Sequence, residues 1–233
     1  MINLNKLQKK KEQVAAGYAI IEGDRLIRQI IKNDVKILAV YTWQDSPTPA
    51  WLGDLQPKLI SKKKFFALAS TKTPQQYLAV ARRHTRPIGN YQTLLYLDQI
   101  SDPGNLGTII RTALALGVGG VALSPGSCDA FNPKVIRSSL GAVFTLPLEV
   151  KTYQWLKEQP AQKILADLAG YSIYDLPPLS SPKILILGSE AAGVSPQLHE
   201  LSDLTITIPI TGKMESLNLA IAAGICLSHI HRL

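Results

Sequence analysis

Two periodicities alternate along the 233-residue chain, and their arrangement changes near residue 88. The opening stretch predicts a lysine-rich helix over residues 4–13. Tyr18-Ala19-Ile20-Ile21-Glu22-Gly23 reads as a short strand, with Asp24 as N-cap of a helix over 25–32. Residues 35–42 are β-branched and aliphatic enough for a second strand. The proline-bearing stretch 45–57 reads as a loop, residues 58–60 as a third strand and 62–69 as a helix. Strands and helices mixed over so short a span predict a small layered α/β domain. Arg86-Pro87-Ile88-Gly89-Asn90 then has linker chemistry, so the domains are expected to divide as 1–88 and 89–233.

Beyond the linker, strand and helix patterns alternate steadily. Strands are predicted over 93–97, 121–123, 146–150, 164–168, 184–187 and 204–208. Helices are predicted over 108–116, 133–140 and 153–158, with a short one after residue 187 and a closing one from about Ser216. Runs such as Lys183-Ile184-Leu185-Ile186-Leu187 are apolar without alternation, as strands of a parallel sheet covered on both faces are. The closing segment, 217–230, is apolar nearly all round, so it is expected to be buried on most sides, with Cys226 in the core. In parallel sheets, ligands bind in loops beyond the carboxyl ends of the strands.

Composition narrows the class. Gly and Pro, at 16 and 15 residues, are too few for a collagenous or low-complexity chain, and two cysteines exclude a disulfide scaffold or a four-cysteine zinc site. No apolar run reaches the roughly 20 residues of a membrane-spanning helix. The first residues lack the apolar stretch of a signal peptide, so a reduced cytoplasmic setting and no membrane partner are expected. Net charge is +8 and unevenly spread. Residues 1–90 hold 16 Lys and Arg against 6 Asp and Glu, a balance of +10, whereas residues 91–233 hold 9 against 11, a balance of −2. The front half therefore suits a polyanion. Its cations cluster at Lys9-Lys10-Lys11, at Lys62-Lys63-Lys64 and at Arg82-Arg83 with Arg86. These runs are either a phosphate-tracking surface or solvated faces, and spacing alone does not put them on one side.

Three loops in the second half carry candidate chemistry. In the first, Asp102-Pro103-Gly104 makes a turn and Asn105 is expected to cap the next helix, with Gly107 and Arg111 four apart on one face. Glycine there would leave room beside a guanidinium suited to phosphate; an ordinary capped turn with a surface arginine fits equally. In the second, Gly188 and Gly193 flank Glu190 just past a buried strand. This pattern lacks both the three-glycine dinucleotide fingerprint and the Lys-Ser/Thr of a P-loop, which counts against a nicotinamide-dependent enzyme. In the third, Ile208-Pro209 is followed by Ser216-Leu217-Asn218 at the mouth of the final helix, where free N–H groups favour an anion; simple capping by Ser216 is the competing account.

In order and spacing these elements, Asn105-x-Gly107-x-x-x-Arg111, Leu187-Gly188-x-Glu190-x-x-Gly193, and Ile208-Pro209 with Ser216-Leu217-Asn218, resemble the SpoU/TrmH family of RNA ribose 2′-O-methyltransferases in the SPOUT superfamily. Arg137-Ser138-Ser139 and Gly141-Ala142 resemble a further family segment. The likeness covers residues 91–233. More loosely, Lys6-Leu7 and Glu22-Gly23-x-Arg25-Leu26 resemble the family's ribosomal-protein-like RNA-binding extension. Ala191 and Val194 depart from the usual Gly and Leu.

The resemblance implies an α/β fold whose parallel-sheet domain ends in a trefoil knot, a homodimer through that domain, and S-adenosylmethionine as cofactor. Gly188, Ile208 and Leu217 would contact that cofactor, with Ser124-Pro125-Gly126 adding to the pocket. Asn105, Arg111, Glu190, Ser216 and Asn218 would be catalytic. A guanidinium with a pKa above about 12 is a poor base, so Arg111 is read as binding phosphate and the developing alkoxide. The four histidines show no ligand-like spacing and no metal site is expected. Ribosomal RNA is favoured as substrate over transfer RNA; a non-enzymatic dimeric RNA-binding module is the reading from a different class.

Overall fold

The computed structural model describes residues 4–7, 10–189 and 193–231. They fall into two units, Met1–His84 and Thr85–Leu233. The division comes a few residues before the expected 88/89 boundary because Arg86 and Ile88 already belong to the second unit. The Arg86 carbonyl accepts from Leu148 N–H, and Ile88 N–H donates to the Glu149 carboxylate at 2.8 Å.

In the first unit a 3-10 turn, Leu4–Leu7, precedes α1 (Lys10–Ala15), β1 (Tyr18–Glu22), α2 (Asp24–Lys32) and β2 (Ile37–Thr42). After a 3-10 turn at Ala50–Leu52 come β3 (Pro57–Leu59), α3 (Lys62–Leu68) and β4 (Tyr77–Arg82). The sheet runs β1-β4-β2-β3, with β4 antiparallel to both neighbours and β2 parallel to β3. β4 is the strand the sequence pattern conceals. Leu78-Ala79-Val80-Ala81 is buried on both faces of an interior strand, so it shows no alternation.

The pleat sorts this unit's core into two layers. Ile20, Ala39, Tyr41, Leu78 and Val80 face Phe65 and Leu68 of α3, together with Leu7. α2 packs on β1 and β4 through Leu26, Ile27 and Ile30, none of them in that cluster, so it covers the opposite face. Hence α2 and α3 lie on opposite sides of one sheet. Gly23, at φ +103°, rather than Asp24 stands at the N-cap of α2. Asp24 is the first helical residue, and its N–H donates to Gln75 Oε1.

The second unit contains β5 (Thr93–Leu97), α4 (Pro103–Leu116), β6 (Val121–Leu123), α5 (Pro133–Ser138), β7 (Leu148–Val150), α6 (Tyr153–Glu158) and β8 (Gln162–Ser172). β9 (Lys183–Leu187), α7 (Pro196–Leu201), β10 (Leu204–Thr207) and α8 (Leu219–Ile230) complete it. Six parallel strands run in the order β10-β8-β9-β5-β6-β7. The chain winds outward from β5 through β6 and β7, and its later strands lie on the other side of β5. The strand order therefore switches between β5 and β9, where ligands bind in such sheets. One face buries Leu94, Tyr96, Leu165, Ile184 and Ile186 with Leu156 of α6 and Leu198 of α7. α8 packs on β9 and on α4, and α4 packs on α5.

Two expectations change here. α8 buries Ala220, Ala223, Cys226, Leu227 and Ile230, but Ile221 is 55% exposed: a helix apolar all round has two apolar faces, and this chain covers one. β8 is also much longer than residues 164–168, because after pairing Leu165 with Thr205 it bulges and resumes with Tyr171 opposite Ile206. Among the described residues no helix is long and apolar enough to cross a membrane.

Candidate functional site

At the carboxyl ends of β5, β9 and β10, beside the bulge of β8 and beneath the loop entering α8, lies a cavity of about 830 Å³. That is ample for a nucleoside-sized ligand, since small-molecule sites typically measure roughly 300–1,000 Å³. Leu187, Ile206, Ile208 and Leu217 give it apolar walls, and Asp102, Asp167 and Glu215 supply carboxylates. No Lys, Arg or His is among its described lining residues. A cavity lined by carboxylates and apolar surface favours a ligand that combines an apolar part with positive charge.

The wall on the α4 side is built from a turn and two helix caps. Asp102 caps α4: its carboxylate accepts from Asn105 N–H at 2.7 Å, and Pro103 takes the first helical position, where no N–H is required. Asn105, expected as the cap, is thus inside the helix and its side chain is released for the cavity. Its Oδ1 accepts from Asn218 Nδ2 at 3.0 Å. Asn218 is itself the N-cap of α8, with Oδ1 accepting from Ala220 and Ile221 N–H. One amide therefore starts a helix and ties it to another. Ser216 precedes that cap in the exposed lining loop instead of capping the helix. Lys134 of α5 donates to the second Asp102 oxygen at 3.0 Å, and the Asn105 and Lys134 bonds together hold that carboxyl below its usual range.

Gly107 does not make room for a ligand. A Cβ there would collide with Ser138 Oγ and lie 2.7 Å from the Val135 carbonyl and 2.9 Å from Ser139 N, so the glycine lets α4 and α5 touch. Arg111 is exposed on α4 and is not among the residues lining the cavity. It stands six residues past Asn105, about 9 Å farther along the axis.

The glycine loop is tight for a comparable reason. Ser189 and Gly193 exchange two backbone hydrogen bonds, and a Cβ on Gly188 would strike the Gly193 carbonyl and approach Val194 N at 2.6 Å. Gly188, Ile208 and Leu217 all line the cavity. Glu190 lies outside the described residues. Ser124-Pro125-Gly126 does not line the cavity: the buried Ser124 Oγ accepts from Gln99 N–H at 2.7 Å and holds the loop after β5. In that loop Gln99 has φ +48°, and the buried Asp98 carboxylate accepts from the Tyr153 hydroxyl at 2.7 Å.

The sequence pattern did not point to Ser101, Asp102, Asp167, Glu215 or Cys226 as cavity residues. The Asp-Pro pair before a helix was the readable signal for Asp102. Asp167 pairs with His199 across 3.3 Å. Cys226 is buried at the cavity wall, and burial pushes its thiol up to about 12.

Of the basic runs, Lys62, Lys63 and Lys64 are exposed on α3, with Lys62 Nζ 4.8 Å from the Trp43 ring centroid. Arg82 is exposed at the end of β4, its guanidinium 5.8 Å from the Tyr18 ring, and Arg83 N–H donates to the Gly17 carbonyl beside it. Lys10 begins α1, Lys11 is exposed, and Lys9 lies outside the described residues. Arg86 is exposed in the second unit.

Comparison with known proteins follows the two units. Residues 92–228 match the model of the SpoU rRNA Methylase family. The chain belongs to that family. Residues 2–79 match the MRM3-like substrate binding domain. Over 230 residues, covering 97% of this chain and 93% of the relative, this SpoU member is 35% identical to the 23S rRNA (guanosine(2553)-2′-O)-methyltransferase RlmP of Bacillus subtilis. A crystal structure of an AdoMet-bound rRNA methyltransferase from Sinorhizobium meliloti superposes with a TM-score of 0.82 at 28% identity, covering 98% of this chain and 92% of that one. The SpoU methyltransferase AviRb from Streptomyces viridochromogenes, at 24% identity, shares the fold with a TM-score of 0.82 over 98% of this chain and 96% of its own.

Proposed function

We propose that this SpoU-family chain transfers a methyl group from S-adenosylmethionine to a ribose 2′-hydroxyl of ribosomal RNA. The observation that carries the proposal is the acid-lined cavity at the strand-order switch, where Asn105 and Asn218 meet. Family membership and near full-length likeness to RlmP support it.

The cavity fits the cofactor on its own chemistry. Its walls suit an adenine ring, its carboxylates suit a sulfonium and an amine, and its glycine cradle admits no side chain at Gly188. When bound, S-adenosylmethionine supplies the electrophilic methyl group. This chain's residues then bind, orient and exclude water. Asn105, Asn218 and Ser216, with Glu190 from the glycine loop, orient the ribose hydroxyl. Held by these residues, the 2′-hydroxyl would be presented to the methyl group that the cofactor supplies, and its proton would pass to solvent. Arg111 is permanently protonated, so its part is to bind a neighbouring phosphate and the developing alkoxide.

Arg111 lies outside one chain's cavity, while Met214, Leu217 and Ile221 expose apolar surface beside it. Both features support a homodimer through the second unit, carrying the trefoil knot that the family resemblance implies. The basic first unit, with Lys10, Lys11, Lys62–Lys64, Arg82 and Arg83, would hold the RNA together with Arg86 of the second unit, and the setting would be cytoplasmic. The test is transfer of labelled methyl to unmodified 23S rRNA, with the modified ribose mapped. Arg111→Ala is expected to abolish transfer while leaving calorimetric cofactor binding and far-UV dichroism unchanged. Full turnover by that variant would remove Arg111 from the mechanism, and absence of cofactor binding by the wild type would overturn the function.

A further inference from the structure

The first unit carries a second basic face that its lysine runs hide. Arg25, Arg28 and Lys32 are exposed on α2 at spacings of three and four, so they share one side of the helix over about 10 Å. With Gln29 and the single acid Asp24 they line a groove of about 470 Å³. Among the described residues none of the three cations has an ion-pair partner.

Arg28 is the best prepared of them. Its guanidinium lies 4.7 Å from the centroid of Trp51. That indole is in turn held edge-on by Tyr77, with ring centroids 5.7 Å apart at 87°. A cation held over a ring spends none of its hydrogen bonds there, so the Arg28 N–H groups remain available for two oxygens of one phosphate. A lysine in the same place would offer only a mobile point charge.

Resting on the reading that this chain acts on RNA, we propose that the α2 groove, formed by Arg25, Arg28 and Lys32 with Trp51 against Arg28, docks the sugar–phosphate backbone of the RNA substrate. Three unpaired cations on successive turns complement a line of phosphates. The Trp51 ring also gives the Arg28 contact a fixed place on the helix. Because α2 and α3 cover opposite faces of the sheet, this face is distinct from Lys62–Lys64. One straight RNA segment cannot lie along both helices.

The experiment measures binding of unmodified 23S rRNA to the full chain between 50 and 200 mM salt, for the wild type, for Arg25→Gln/Arg28→Gln/Lys32→Gln and for Lys62→Gln/Lys63→Gln/Lys64→Gln. Each phosphate contact contributes about 0.7–0.9 to the slope of log K against log salt, so losing three lowers the slope by about 2–3 and the affinity about a hundredfold at 0.1 M salt. That loss is expected for the α2 variant, with calorimetric S-adenosylmethionine binding and far-UV dichroism as in the wild type. Arg28→Lys, which keeps the charge and the fold but loses the fork, is expected to weaken binding with little change in slope. Wild-type affinity and slope in a folded α2 variant, or wild-type affinity in Arg28→Lys, would overturn the proposal. Failure of the wild type itself to bind this RNA would instead remove the functional reading beneath it.

Discussion

Gly107→Ala separates two meanings of a motif glycine. If Gly107 leaves space for a ligand, an added methyl should cost activity and spare stability. The structure gives the opposite order. The new Cβ would displace Ser138 Oγ, whose hydroxyl now donates to the Lys134 carbonyl at 2.8 Å, and that group can rotate. The Val135 carbonyl at 2.7 Å and Ser139 N at 2.9 Å are backbone and cannot. Ordinary carbon contacts lie near 3.5–4.0 Å, so α5 would have to withdraw by roughly 0.5–1 Å. Overpacking of this kind costs about 1–3 kcal/mol. At about 2–4 °C per kcal/mol for a chain of this size, the expected fall in melting temperature is roughly 4–8 °C for a 2 kcal/mol loss. Ser138→Ala in the same background removes one of the three contacts and should restore only part of the loss. Thermal and denaturant unfolding followed by far-UV dichroism, with the m-value checked for constancy, reads both variants. Wild-type stability in Gly107→Ala, with methyl transfer lost, would refute the packing argument.

Three further outcomes follow from the same geometry. Burial alone would raise the Glu22 carboxyl, but hydrogen bonds from Ser70 and Thr71 outweigh it and hold the group below its ordinary value. A depressed carboxyl stabilises the fold above its unfolded value, about 4.3, and loses that contribution as pH falls through the folded value; denaturation between pH 3 and 7 should therefore show a steeper acid limb in the wild type than in Glu22→Gln, and parallel curves would contradict it. Asn218→Ala should lose about 1 kcal/mol of capping as well as methyl transfer, whereas Asn218→Ser keeps a cap and loses only the amide bond to Asn105, so full activity of the serine variant would show that bond to be idle. A thiol reagent at pH 8 should modify the half-buried Cys128 and leave Cys226, whose thiol is pushed up to about 12, until the chain unfolds; equal rates at both would contradict the burial of Cys226.

The strands of the second unit were legible because a covered parallel strand writes itself as an uninterrupted apolar run, as Lys183–Leu187 does. The site loops were legible for a related reason: glycine and proline cluster where the chain must turn beyond such a run. What escaped depended on partners distant in the chain. Nothing beside Gly107 announces that Ser138 of α5 will press against it. Nothing local distinguishes the two apolar faces of α8. Tyr77–Arg82 escaped because an interior strand of the first sheet has no wet side to set an alternation. Asn105 and Asp102 are both good capping residues, and the proline between them, which fits the first helical position, decides for Asp102. The opposite placement of α2 and α3 is a property of the pleat and strand order, which charge counting along the chain does not record.

Asp102 shows how densely one position can be used. The same carboxylate begins α4, binds the lysine of α5 and forms part of the cavity wall. Asparagine would keep the cap and forfeit the charge; glutamate would keep the charge but carry it past the backbone N–H it must meet; alanine would lose all three contacts. Each of these small chemical steps gives up at least one of the three contacts. A change of ligand therefore disturbs the fold less when it is made at the other walls of the cavity than at this corner.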